Sequence, residues 1–256
     1  MGFAQPHQLK LAFDRLRFRL HRDGFAALVR LGLARLRGRR HQNAEGSAFD
    51  REFGTDTEGN VPLWQLEIDS PHQLEGAHYQ TLAPFLIRRS IEALSANLED
   101  FSFCDLGSGK GRILMIASEY PFKRVIGVEF SHELNAVAAE NILKYPASRR
   151  VCQDVSTLQM DAIDYQFPSG NLLVFLFNPF GETVLRGVLA NLESALLREE
   201  RSVWIVYFNA VCARLIDESG LFSRVEISDT FVAFKHEPGI GTAMPAISES
   251  TPQDEP

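Results

Sequence analysis

Apolar residues recur with two different spacings along the central part of the chain, between residues 79 and 235. In some stretches nearly every position is apolar, and in others apolar residues recur every three or four positions. Continuous apolar runs indicate buried strands, whereas the longer spacing indicates helices with one buried face. Alternation of the two predicts a parallel sheet covered by helices, so the expected fold class is α/β.

The pattern predicts seven strands and four helices. The strands are expected at Phe101–Leu106, Arg124–Glu129, Ser156–Met160, Leu172–Phe177, Ser202–Asn209, Ser223–Ser228 and Phe231–Lys235. The helices are expected at Tyr79–Leu98, Lys110–Tyr120, Ser131–Lys144 with Ser131 as the N-cap, and Val184–Leu197. Only Asp229-Thr230 separates the last two strands, which therefore read as an antiparallel hairpin at the sheet edge. We expect a doubly wound, mostly parallel seven-stranded sheet with an antiparallel C-terminal hairpin.

Composition divides the chain into three parts. Residues 1–47 form a basic arm with apolar residues at helical spacing, and the first forty of them carry a charge of +8 although the whole chain is at −7. Residues 48–236 form one domain, preceded by a polar, glycine-containing linker at 41–59 that is expected to lie as a loop over it. Residues 237–256 are expected to be a disordered acidic tail, because so few apolar residues cannot offset the entropy of ordering.

The basic N-terminal arm leaves two kinds of role open. It either packs on the domain or stays disordered, with solvated arginines, or it makes weak contact with an anionic membrane or with nucleic acid.

The three cysteines form no C-x-x-C pair, which favours a reducing compartment. Apolar runs fall far short of the roughly 20 residues of a spanning helix. We therefore expect a cytoplasmic protein with no transmembrane segment, and the arm is a candidate for peripheral membrane contact.

The segment 103–112, FCDLGSGKGR, carries the strongest chemical signal. A predicted strand runs into Gly107, Gly109 and Gly111 and then into a helix, so the backbone can turn tightly and present free N–H groups to a ligand. The spacing differs from the G-x-G-x-x-G of dinucleotide sites, and the G-K-[ST] of a P-loop is missing. Asp105 would repel a pyrophosphate and attract a cation. The plain alternative is a structural glycine turn without a ligand.

A second acidic residue, Glu129, ends the second predicted strand 18 residues after Gly111. Sheets of this kind present a carboxylate at that place to the hydroxyls of a ribose. Alone, Glu129 would read as an exposed acid at the end of a strand. Its coincidence with the glycine segment favours a nucleoside site.

At the end of the fourth predicted strand, Asn178, Pro179 and Phe180 are the candidates for placing an acceptor group of a substrate. Asn178 offers a carbonyl oxygen to an amine N–H, Pro179 stiffens the turn, and Phe180 can wall or stack on the acceptor. The alternative is a polar strand-to-helix turn with a buried phenylalanine. No metal-binding spacing and no nucleophile are found.

Four segments together resemble a known family. DLGSGKGR (105–112), GVEFS (127–131), MDA (160–162) and FNPF (177–180) resemble motifs one to four of the class I, seven-strand Rossmann-like S-adenosylmethionine-dependent methyltransferases. The resemblance covers residues 53–235. DLGSG-x-GR is most similar to a bacterial group related to lysine methyltransferases, and FNPF resembles the N-P-P-[YF] signature of amino-methylating enzymes with one proline missing.

The resemblance implies a function, a cofactor and a set of residues. The implied cofactor is S-adenosyl-L-methionine and the implied reaction is methyl transfer to nitrogen, with a protein lysine as one candidate acceptor. A small-molecule methyltransferase and a non-catalytic cofactor-binding scaffold remain alternatives. Asp105, Gly107 and Gly109 would border the methionine moiety, Glu129 the ribose, and Asp161 with Ala162 the adenine. The segment 76–81 would fold over the cofactor, although Gln80 replaces a usual proline. The implied cofactor-binding residues are Tyr79, Thr81, Asp105, Gly107, Ser108, Gly109, Gly111, Glu129, Asp161 and Ala162.

Overall fold

The computed structural model describes residues 47–239. The predictions for the basic arm and for all but the first three residues of the acidic tail lie outside this range. Within the range, no helix combines the length and the apolar character that a membrane span requires.

Seven strands form one sheet. They are β1 (Phe101–Leu106), β2 (Arg124–Glu129), β3 (Val155–Gln159), β4 (Asn171–Phe177), β5 (Val203–Phe208), β6 (Ser223–Val225) and β7 (Phe231–His236). Their order across the sheet is β3-β2-β1-β4-β5-β7-β6. The first five strands are mutually parallel, whereas β7 is antiparallel to both β5 and β6. The α/β fold class and the antiparallel C-terminal hairpin are thereby confirmed.

Between residues 47 and 239, six α-helices accompany the sheet. They are α1 (residues 47–53), α2 (Pro84–Glu92), α3 (Arg112–Ala117), α4 (His132–Lys144), α5 (Glu182–Arg198) and α6 (Ala213–Glu218). Ser131 caps α4 as expected, because its hydroxyl accepts the N–H of Leu134.

Several predicted boundaries differ in the structure. The helix expected at Tyr79–Leu98 spans only Pro84–Glu92, with the proline in its first turn. The residue before a proline is disfavoured in the helical region, and Ala83 accordingly has an extended backbone, with φ −63° and ψ 138°. The linker expected at 41–59 contains a helix, α1, since Phe49 and Phe53 pack their rings against Tyr145. This packing is a tertiary contact that local composition does not reveal.

The sheet separates two apolar cores. Because neighbouring side chains on a strand point to opposite faces, Phe103 packs with α2 and α3, whereas Cys104 packs on the other face with α5 and α6. Two residues further along β1, Asp105 lies on the same face as Phe103. In β2, Val125 packs with the α2–α3 core, so Glu129 also lies on that face. The alternation therefore places both acids on one face, at the carboxyl ends of adjacent strands.

Candidate functional site

The glycine segment turns sharply at the carboxyl end of β1. The N–H groups of Gly107 and Ser108 both donate to the carbonyl of Val128, at 2.8 and 3.0 Å, which ties the turn to β2. A Cβ on Gly107, at φ +82°, would lie 2.3 Å from Cβ of Pro179, and one on Gly109 would lie 2.3 Å from the ring of Tyr79. Only glycine permits these two close approaches.

Glu129 is buried at the end of β2 and accepts two backbone hydrogen bonds. Its Oε2 accepts the N–H of Gly109 at 2.8 Å, and its Oε1 accepts the N–H of Ser131 at 2.9 Å. Burial raises the pKa of Glu129 to about 7, although the hydrogen bonds act in the opposite direction. A carboxylate has about four lone-pair positions, so each oxygen can accept one further donor.

Asp105 is 1% exposed, and neither of its carboxyl oxygens has a hydrogen-bond partner within residues 47–239. Burial, together with the charge of Glu129, raises the pKa of Asp105 well above its ordinary value. Burying an unpaired carboxyl group costs free energy unless something compensates it. A hydrogen-bond donor or a positive charge supplied by a ligand would therefore offset the cost of burying Asp105.

Residues 61–81, here called the strap, cross over the glycine turn. The Tyr79 hydroxyl donates to the carbonyl of Thr57 at 2.6 Å, and burial raises the pKa of this phenol. Tyr79 also pairs with Val61 in an isolated antiparallel bridge. At the other side, the N–H of Ala77 donates to the carbonyl of Pro179 at 2.9 Å. The strap thus connects the β1 turn with the β4 turn.

A cavity of about 320 Å³ lies between the strap and the strand tips. Eight of the predicted site residues line it: Tyr79, Thr81, Gly107, Ser108, Gly109, Glu129, Asn178 and Pro179. Gly111 does not line the cavity; it occupies the N-cap of α3 in a left-handed conformation. Asp105 does not line it either and lies buried two residues before Gly107.

The other predicted residues lie around a second cavity of about 30 Å³. Asp161, Ala162 and Phe180 line it, and it shares Gly76, Gly107, Phe130 and Pro179 with the larger cavity. The two cavities are therefore adjoining spaces. The Phe130 ring, which lines both, lies so close to Gly76 that a Cβ there would be 2.6 Å from it.

The strap also reaches Asp161. Its Oδ2 accepts a hydrogen bond from the Ser70 hydroxyl and lies 2.9 Å from Nδ1 of His72. Burial acts to raise the pKa of Asp161, but the hydrogen bonds from Ser70 and His72 outweigh it and hold the pKa below its ordinary value. Sequence patterns did not indicate Ser70 or His72, because their partner is 89 or more residues away.

Phe180 was expected to border the acceptor beside Asn178, but the structure places it elsewhere. Its side chain is buried with Val184 and Leu185 in the α5–α6 core, and it lines the smaller cavity, which does not include Asn178. The residue after Asn178-Pro179 thus belongs to the core on the far face of the sheet.

A further residue, Asn209, lines the larger cavity and was not predicted. Asn178 and Asn209 directly follow β4 and β5, and both have positive φ, at 44° and 48°. The hydroxyl of Tyr207 donates to Oδ1 of Asn178 at 3.4 Å. A signal was present in the sequence, because both strands end in the dipeptide Phe-Asn.

No protein-family model matches the chain, and no curated protein matches it either. Among solved structures, the chain is similar to the methyltransferase domain of bacterial CtHen1-CN at 15% identity, covering 60% of this chain and 98% of that one with a TM-score of 0.44. An RNA methyltransferase from Salinibacter ruber in complex with S-adenosyl-L-homocysteine is 19% identical, with coverages of 68% and 97% and a TM-score of 0.39. Magnesium protoporphyrin IX methyltransferase from Synechocystis PCC 6803 with bound SAM is 15% identical, with coverages of 59% and 77% and a TM-score of 0.44.

The strand order and the antiparallel hairpin define a seven-stranded, doubly wound, Rossmann-like α/β fold.

The residues present fit S-adenosylmethionine on three counts. The turn at Gly107 and Gly109 leaves a cradle that a Cβ would fill, and Glu129 has acceptor capacity left for hydroxyl groups. Asp105, whose carboxyl oxygens have no hydrogen-bond partner within residues 47–239, places a buried carboxyl group behind the turn, where its negative charge favours a positively charged ligand. Within residues 47–239, no group of three or more His, Cys, Asp or Glu side chains is arranged to hold a metal ion.

Replacement of Asp105 by asparagine is expected to stabilise the unliganded protein at pH 8 and to weaken binding of S-adenosylmethionine. The raised pKa means that the folded protein holds the Asp105 proton to higher pH than the unfolded chain does. The free energy of unfolding of the wild type therefore falls as pH rises above the unfolded value of about 3.9, and the substitution removes that loss. Urea unfolding at pH 5 and pH 8 measures the effect; equal stability of both proteins at pH 8 would contradict it.

Proposed function

We propose that the chain is an S-adenosylmethionine-dependent methyltransferase that transfers a methyl group to a nitrogen acceptor. The observation that carries the proposal is the joint placement of the glycine turn and two buried carboxyl groups at the tips of β1 and β2, beside a cavity that Asn178 also lines. A structural glycine turn needs neither a buried unpaired acid nor an adjoining cavity of this size.

We assign the two adjoining cavities to two parts of the cofactor. The residues of the larger cavity would hold the methionine moiety and the ribose, and Glu129 would accept hydrogen bonds from the ribose hydroxyls. Asp161 and Ala162, which line the smaller cavity, would hold the adenine. In support, Phe130 and Gly107 line both cavities, so one ligand can extend from one to the other past them. The Phe130 ring has to shift to widen the smaller cavity for the adenine.

The protein's contribution to the reaction is placement of the acceptor and exclusion of water. When bound, S-adenosylmethionine supplies a methyl group, whose carbon–sulfur bond breaks as the acceptor nitrogen's lone pair forms the new bond. The strap covers the cavity and keeps water from the reacting atoms. Asn178 accepts a hydrogen bond from the acceptor nitrogen and so directs its lone pair. Phe177 and Leu66 line the same cavity, and apolar surroundings favour the neutral form of an amine, which has the free lone pair.

The proposal predicts that the chain binds S-adenosylmethionine and transfers its labelled methyl group into a cell lysate. Isothermal titration measures the binding. Separation of the lysate into macromolecules and small metabolites after the reaction distinguishes a protein acceptor, including lysine, from a small-molecule acceptor. Absence of binding would exclude the proposed cofactor, and binding without any transfer would indicate a cofactor-binding scaffold.

The variant Asn178→Gly tests the assignment of the acceptor end. Glycine accepts the positive φ of 44°, so the backbone is retained while the carboxamide is lost. We expect the dissociation constant for S-adenosylmethionine to stay unchanged and kcat to fall about tenfold or more. Asn97→Gly serves as the control, since Asn97 lies before β1 at the opposite end of the strands. Loss of cofactor binding in Asn178→Gly would instead place Asn178 in the cofactor site.

A further inference from the structure

Asn178 and Asn209 occupy equivalent positions on neighbouring strands. In the parallel register of β4 and β5, the last pair is Phe177 with Phe208, and each asparagine directly follows its phenylalanine. Adjacent strands of a sheet lie about 4.8 Å apart, so the two asparagines are close neighbours at one edge. Both also share a left-handed backbone conformation, with φ of 44° and 48°.

The two carboxamides have free hydrogen-bonding capacity beside the same cavity. The side chain of Asn209 is exposed and makes no hydrogen bond to any other residue within 47–239. Among the described residues, Tyr207 alone donates to Oδ1 of Asn178, and this hydrogen bond is long, at 3.4 Å. An amide oxygen has two lone pairs, so each of the two oxygens can accept a hydrogen bond from a ligand.

Resting on the proposed function, we propose that Asn209 is a second acceptor-positioning residue and that the acceptor is an uncharged primary amino group. One N–H of that group donates to Oδ1 of Asn178 and the other donates to Oδ1 of Asn209. The lone pair of the nitrogen is then left without a hydrogen bond and points towards the methyl group of S-adenosylmethionine. A hydroxyl or thiol acceptor has a single hydrogen to donate and can satisfy only one of the two oxygens.

The two carboxamides also limit how many methyl groups one nitrogen receives. After transfer, the nitrogen loses a proton to water and keeps one N–H, so the product can satisfy only one carboxamide. A second transfer to the same nitrogen is therefore slower than the first. We expect the singly methylated amine to be the main product.

The variant Asn209→Gly distinguishes a purely structural role for Asn209 from a role in holding the acceptor. Asparagine adopts the left-handed backbone conformation more readily than most residues, because its short polar side chain can form local hydrogen bonds. Glycine adopts this conformation more readily still, because it has no Cβ. If Asn209 only closes the turn after β5, Asn209→Gly leaves activity unchanged. If Asn209 holds the acceptor, the same variant loses activity with its fold retained. Asn209→Asp keeps an oxygen at the same place and should retain more activity than Asn209→Gly.

The experiment measures transfer of labelled methyl from S-adenosylmethionine into the accepting lysate fraction, with initial rates recorded against the amount of that fraction. We expect kcat/KM of Asn209→Gly to be about tenfold or more below wild type. Its dissociation constant for S-adenosylmethionine and its unfolding midpoint should match wild type. Asn209→Asp should lie between the two, and Asn97→Gly should equal wild type. Mass spectrometry of the labelled product identifies the modified atom.

The outcomes separate the two proposals. If the wild type binds no S-adenosylmethionine or transfers no methyl group, the proposed function fails and this inference fails with it. If the wild type is active and Asn209→Gly is equally active, or binds the cofactor more weakly, only the inference is overturned. A dominant dimethylated product would also overturn the inference alone, whereas label on oxygen or sulfur would overturn the nitrogen acceptor of the proposed function as well.

Discussion

Replacement of Gly107 by alanine is expected to weaken binding of S-adenosylmethionine about 100-fold, because the new methyl group separates the β1 turn from the β4 turn. The added Cβ would lie 2.3 Å from Cβ of Pro179 and 3.6 Å from its Cα. Proline cannot rotate this contact away, since its ring is joined to its own backbone. Gly107 and Pro179 line both cavities, so a shift between them distorts both parts of the proposed cofactor site.

Gly220→Ala is the matched control for this prediction. Gly220 also has a positive φ, of 67°, but a Cβ placed on it would meet nothing within 4 Å. The control therefore carries backbone strain of about 1 kcal/mol without the steric contact. Isothermal titration should show wild-type affinity for Gly220→Ala, and urea unfolding should show a larger loss of stability for Gly107→Ala. Wild-type affinity in a folded Gly107→Ala protein would rule out the turn as the cofactor cradle.

Affinity for S-adenosylmethionine is expected to rise about 20-fold between pH 5.5 and pH 7.5, because the cofactor prefers ionised Glu129. In the unliganded protein burial raises the pKa of Glu129 to about 7, so its carboxyl group is mostly protonated at pH 5.5. Ribose hydroxyls donating to the carboxylate stabilise its charged form and lower this pKa. Binding below pH 7 therefore releases a proton, and affinity increases as pH rises towards 7. Asp105, whose pKa is also raised, acts in the same direction.

Glu129→Gln tests the origin of this pH dependence. The variant should bind about 30-fold more weakly than wild type at pH 7.5, because a neutral amide replaces a charged acceptor. It should also show a smaller change in affinity with pH and release fewer protons, which titrations in buffers of different ionisation enthalpy measure. Glu140→Gln, an exposed position on α4 that pairs with Lys144, should behave as wild type. An unchanged pH slope in Glu129→Gln would show that another group titrates.

Strand positions were predictable wherever a buried run had clear ends. β1 and β2 begin and end at the predicted residues, because β1 is buried throughout and β2 after its first residue, and Asp100 and Gly107 flank β1. β6 is shorter than predicted and ends at Val225, since its ladder with β7 ends at the pair Val225 and Ala233. The short helix α6 has only six residues, too few for a periodic pattern to indicate it.

Site residues were predictable to the extent that each one lies next to a strand end. Glu129 and Asn178 follow this rule, because parallel strands bring their carboxyl ends to one edge of the sheet. Phe180 does not, since the turn after Asn178 carries its ring to the opposite face of the sheet and into the α5–α6 core. Asn209 lies at the same edge but belongs to a strand whose end carried no recognised motif.

The sequence by itself determined the α/β class, the order of the main elements and the position of the glycine turn, because these depend on local periodicity and on backbone conformations of single residues. Only the tertiary structure decided which distant groups meet. The ring of Tyr79 lies against Gly109, His72 pairs with Asp161, and the carboxyl group of Asp105 has no hydrogen-bond partner in the described part of the chain. Such contacts depend on how the strap crosses the sheet, and a periodic pattern carries no information about the path of an irregular segment.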